Sequence, residues 1–74
     1  MQLIPVKSSN LKAAGHDNGI MRVQFSNGTE YDYKGVSAEV FNNMLQSKSV
    51  GKFFNTNIKS KFIGAKVVKE EGNG

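Results

Sequence analysis

Six lysines stand between positions 48 and 69, at Lys48, Lys52, Lys59, Lys61, Lys66 and Lys69, with no aspartate or glutamate among them. The acids lie elsewhere, at Asp17, Glu30, Asp32, Glu39, Glu70 and Glu71. A segment of one sign attracts polyanions, and RNA or DNA is the commonest polyanion of a cytosol. On a helix, Lys52, Asn55 and Lys59 at spacings of three and four form one polar stripe, which Lys48 and Lys61 extend. Such a stripe can track a phosphate backbone while Asn55 hydrogen-bonds a phosphate or a base edge. The same residues also suit an ordinary solvated face that keeps a small protein soluble. Asn55 also suits a brace to the backbone of a neighbouring loop.

Tyr31 and Tyr33 are a second candidate pair, because two aromatics on one strand face can stack bases. Their competing role is core packing, with the phenolic hydroxyls at its rim. Phe53 and Phe54, spaced helically from Val50 and Ile58, read as core. Nothing in the chain assembles an acid, a base and a nucleophile. His16 beside Asp17 reads as a surface histidine, Gly15 and Gly19 as turn glycines, and Ser8, Ser9 and Asn10 as turn residues that hydrogen-bond locally. With one histidine and no cysteine, the three or four ligands of a zinc site cannot be gathered. The expectation is a binding module, not an enzyme, without cofactor or metal.

Scale sets the next constraint. Seventy-four residues support one core, no disulfide can staple it, and packing or self-association must hold it together. The hydrophobic fraction of 38% contains no apolar run near the roughly 20 residues that span a bilayer, so no membrane partner is expected. The absence of cysteine, and a start at Met1–Pro5 unlike a signal peptide, point to the cytoplasm.

The elements that position these residues begin with strands. Two short alternating runs, 11–16 and 20–25, and a third over 29–34 are separated by Asp17-Asn18-Gly19 and Ser26-Asn27-Gly28. A two-residue Asn27-Gly28 turn would set Phe25 against Glu30 and Val23 against Asp32, putting acids on the apolar face. A three-residue loop with Gly28 in a left-handed bulge pairs Phe25 with Thr29, Val23 with Tyr31 and Met21 with Tyr33, and on the other face Arg22 with Asp32. The same rule at Asp17-Asn18-Gly19 brings Leu11, Ala13 and Gly15 alongside Phe25, Val23 and Met21. The expected inner face is Leu11, Ala13, Met21, Val23, Phe25, Tyr31 and Tyr33. Lys12, His16, Arg22, Gln24, Glu30, Asp32 and Lys34 look outward.

After Gly35-Val36 the period becomes helical. Ser37 caps a helix carrying Val40, Phe41, Met44 and Leu45, and Ser49 caps a second carrying Val50, Phe53, Phe54 and Ile58. The resulting class is α+β, a three-stranded antiparallel meander with two helices packed on one face. Residues 3–7 and the stretch from Ile63 to Val68 are candidates for additional edge strands, the latter interrupted by Gly64. The domain is placed at residues 1–69, with a flexible tail at 70–74.

Ser8-Ser9-Asn10-Leu11, Phe25 followed by Asn27-Gly28, Tyr31-Asp32-Tyr33, Gly35-Val36, and Ser49-x-Gly51-x-Phe53-Phe54-Asn55-x-x-Ile58 together give an order and spacing that resembles the KTSC domain family over residues 6–62. That family is named for a module at the C-terminus of some lysyl-tRNA synthetases, and small stand-alone bacterial and phage proteins belong to it. The resemblance implies RNA association through the synthetase connection and does not imply an enzyme. One departure is His16, where many relatives carry an aromatic residue after the glycine. The leading expectation is a nucleic-acid-binding module acting through Lys48, Lys52, Asn55, Lys59 and Lys61. Its alternative is a protein-interaction module or a homo-oligomer.

Overall fold

The computed structural model describes residues 2–67. Met1, the last two positions of the expected domain and the expected tail lie outside the described residues. Strands β1 (Ile4–Pro5), β2 (Leu11–Asp17), β3 (Ile20–Phe25), β4 (Glu30–Lys34) and β5 (Gly64–Lys66) form one sheet in that order, each antiparallel to its neighbour. Between β4 and β5 run α1 (Ala38–Gln46), α2 (Val50–Phe53) and a π-helical segment, Phe54–Lys59, that continues α2. The expected meander is thus the middle of a five-stranded sheet, and both candidate edge strands exist. Gly64 does not interrupt the second of them. It lies opposite Tyr33, and a Cβ there would sit 2.5 Å from the tyrosine ring.

The β3–β4 hairpin has the three-residue loop. Met21 pairs with Tyr33, Arg22 with Asp32 and Val23 with Tyr31, while Phe25 N donates to Thr29 O at 2.8 Å and Gly28 has φ +93°. The Arg22 guanidinium grips Asp32 through two hydrogen bonds, at 2.7 and 2.9 Å. This contact holds the Asp32 carboxyl below its usual pKa, the hydrogen bond from Arg22 being the main cause.

The β2–β3 connection departs from expectation. Its turn has two residues, Asn18 at φ 51° and Gly19 at φ 77°, the left-handed pair of a type I′ turn. Asp17 therefore faces Ile20, and a bulge between Leu11 and Ala13 returns Leu11 to Phe25. Ala14, opposite Val23, replaces Ala13 on the inner face and is fully buried. Gly15 lies mid-strand, not in a turn.

His16 turns inward with this register. It pairs with Met21, stacks on Phe41 with ring centroids 5.6 Å apart, and its Nε2 lies 2.6 Å from the Val36 carbonyl oxygen. A carbonyl only accepts, so Nε2 carries the proton. The imidazole thus does the packing work of an aromatic ring. Glu30 also departs from expectation: on the outer face, it is 5% exposed and receives the Gln24 amide at 3.4 Å.

Helix α1 begins at Ser37, whose Oγ accepts from Val40 N, and α2 at Ser49, whose Oγ accepts from Lys52 N. Phe41 and Met44 of α1, with Val50, Phe54 and Ile58 of the second helix, bury against Leu11, Ala14, Met21, Val23 and Tyr33 of the sheet. Each large side chain removed from water here contributes about 2 kcal/mol. Among the described residues no helix is long and apolar enough to cross a membrane.

Candidate functional site

The second helix enters beside the segment that leads into β2. Gly51 packs on Ser8 so closely that a Cβ would stand 2.8 Å from the Ser8 hydroxyl oxygen. That hydroxyl is held in place by accepting from the backbone N–H groups of Asn10 and Leu11, at 3.2 and 3.3 Å. Asn10 in turn accepts Ser26 N through its backbone oxygen at 2.9 Å, tying the strand entrance to the β3–β4 loop. Three segments distant in sequence are thereby pinned side by side.

A two-lobed groove opens along this seam. The first lobe, about 360 Å³, is lined by Lys7, Ser8, Ser9, Asn10, Lys48, Ser49, Gly51, Lys52 and Asn55. The second, about 380 Å³, shares Asn10, Gly51 and Asn55 and continues past Leu11, Phe25 and Phe54 to Ser26, Asn27 and Lys59. Four lysines and no carboxylate line the pair. The first lobe is walled by hydroxyls, amides and ammonium groups, and the second has an aromatic floor. The lysines and Asn55 are exposed, and among the described residues the side-chain amides of Asn10 and Asn55 make no hydrogen bond within the fold. Such an arrangement can neutralise phosphates and offer donors and acceptors to a planar group.

Four of the five residues expected to form the site, Lys48, Lys52, Asn55 and Lys59, line this groove. Lys61 is exposed just past the π-helical segment and is not among the lining residues. Lys66 lies on β5 opposite Tyr31, and Lys69 falls outside the described residues. Tyr33 is 4% exposed, with its ring edge-on to Phe54 at 5.4 Å, and burial raises its phenol pKa. Tyr31 is half-buried on the same face and meets Phe25 edge-on. Neither tyrosine lines the groove. Lys7, Asn10, Phe25 and Asn27 were not expected as site residues. The available signal was the motif itself, because its scattered pieces Ser8-Ser9-Asn10, Phe25, Asn27 and Gly51 to Asn55 meet here. Among the described residues no group of three His, Asp or Glu could hold a metal ion.

The sequence profile of the KTSC domain matches residues 7–62, a span that includes both walls of the groove. The chain belongs to the KTSC domain family. A crystal structure of a KTSC domain protein from Yersinia pestis is similar, with a TM-score of 0.83 and 36% identity, covering 90% of this chain and 97% of that one. A protein of Tsukamurella paurometabola is 40% identical over 60 residues, 78% of this chain and 90% of its own length. A protein of Stutzerimonas stutzeri is 37% identical over 57 residues, 74% of this chain and 80% of its own. The matches cover 80% to 97% of the lengths of these three proteins.

Proposed function

We propose that this KTSC domain is a non-catalytic nucleic-acid-binding module of the cytosol, and that the groove between residues 7–10 and the second helix receives the phosphate backbone. The observation that supports this most strongly is the lining, in which Lys7, Lys48, Lys52 and Lys59 converge without a carboxylate. Gathered around a concave, amide-rich surface, these lysines concentrate positive potential where a polyanion can dock.

Four lysines that each neutralise one phosphate imply that log affinity falls against log salt with a slope of about −3 for a single strand and about −4 for a duplex. Measuring affinity for RNA and DNA oligonucleotides over a salt series tests this. Absence of binding at low salt to single-stranded, structured and duplex forms removes the reading.

A second reading is protein association through a sheet edge. It draws on the outermost strands: Ile4 of β1 is 47% exposed, and Ile63, just before β5, is 90% exposed. Sedimentation showing a concentration-dependent dimer, together with nucleic-acid binding absent, favours it.

A further inference from the structure

We infer that the groove selects unpaired nucleotides, seating an extruded base in the second lobe on Phe25. The inference rests on the nucleic-acid reading above and names its substrate as single-stranded RNA or DNA.

The two lobes differ in chemistry. Lys7, Lys48 and Lys52 surround the first, which has no aromatic lining. The second is floored by Phe25 with Leu11 and Phe54, and walled by Asn27, Asn55 and Lys59. Phosphates suit the first and a flat, apolar-faced ring with polar edges suits the second. A paired base has its faces stacked and its Watson–Crick edge occupied, so a duplex offers the second lobe nothing that fits.

Phe25 is held as a platform. Its ring meets Tyr31 at 5.6 Å and 81° and Phe54 at 5.7 Å and 72°, two edge-to-face contacts that fix its plane. The hairpin tip beside it is also held in place. Asn27 Oδ1 accepts Thr29 N at 2.9 Å, which orients the Asn27 amide at the hairpin tip, and Ser26 N is fixed on Asn10 O. An amide presents one donor and one acceptor side by side, the pattern that a base edge complements. From Lys52 to Lys59 the helix advances less than the roughly 10 Å of an α-helix, because Phe54–Lys59 is π-helical, which leaves room for about two stacked nucleotides at a spacing of roughly 3.4 Å.

The test compares short labelled single strands of RNA and DNA with duplexes of the same sequence, by fluorescence anisotropy at one low salt concentration. The expected result is single-strand affinity at least tenfold above duplex affinity. Phe25→Leu, which keeps an apolar side chain in place, is expected to lower single-strand affinity roughly tenfold, the loss of one base stack, and to leave duplex affinity unchanged. If Phe25→Leu fails to fold, Asn27→Asp decides, since a carboxylate still accepts Thr29 N while adding negative charge to the lobe. It is expected to weaken single-strand binding several-fold and duplex binding less. Equal affinity for the two forms, or variants that bind single strands as the parent does, overturns the inference and leaves the phosphate-binding groove standing. Absence of binding to either form overturns both.

Discussion

Gly51 stands against Ser8 with no room for a Cβ, which would lie 2.8 Å from a hydroxyl oxygen anchored by two backbone N–H groups. Both residues line the first lobe of the groove, and Gly51 lines the second as well. In Gly51→Ala the better helix propensity contributes about 1 kcal/mol, while overpacking against an immobile hydroxyl costs about 1–3 kcal/mol. A net destabilisation of about 1 kcal/mol is expected in chemical denaturation. The double variant Ser8→Ala, Gly51→Ala should be less destabilised than the sum of its single changes, because removing the oxygen removes the clash.

Charge reversal within the groove separates this site from the bare helical stripe. Lys52→Glu and Lys59→Glu should each lower the magnitude of the salt slope by about 0.7 for a single strand. Lys61→Glu, outside the lining, should move it much less. Equal effects from all three would assign binding to general charge, read by affinity measured at several salt concentrations.

The Arg22–Asp32 pair predicts an acid dependence. Because the folded Asp32 pKa is lowered, its contribution is complete above the ordinary carboxylate range near pH 4 and is lost as pH falls through the folded value. The side chains are 29% and 22% exposed, so solvent screening limits the effect to about 1 kcal/mol. Asp32→Asn should be less stable than the parent at neutral pH, with the gap closing in strong acid, as denaturant unfolding at both pH values would show.

Tyr33 predicts an alkaline one. Burial raises its folded pKa, so its contribution is present below the unfolded value near 10 and is lost as pH rises above it. Absorbance titration of tyrosinate should contain a late step that Tyr33→Phe removes. Gly64→Ala, which drives a Cβ into the Tyr33 ring, should destabilise the fold by about 1–3 kcal/mol.

The Arg22–Asp32 and Val23–Tyr31 pairings were legible because only one loop length at Ser26–Gly28 kept acids off the apolar face. The neighbouring turn lacked such a discriminator. Ala13 and Ala14 are both small and apolar, so either satisfies the inner face, and the bulge that restores Leu11 to Phe25 leaves no mark in the pattern. The misassignment of His16 follows from that one-residue slip, since every side chain beyond it changes face. Strands β1 and β5 have two and three residues, too few for a period. The lysines of the second helix were legible from spacing and charge. Their partners Lys7, Asn10 and Asn27 were not, because proximity between the strand entrance, a hairpin tip and a helix is a property of the tertiary fold.

The central claim is that the groove, and no other face, receives nucleic acid. An amide chemical-shift titration of the whole chain with a short single-stranded oligonucleotide tests it most directly. The predicted result is saturable shifts at Asn10, Asn27, Gly51, Lys52, Asn55 and Lys59. Shifts confined to Tyr31 and the Ile63–Lys66 edge, or none at low salt, would contradict it.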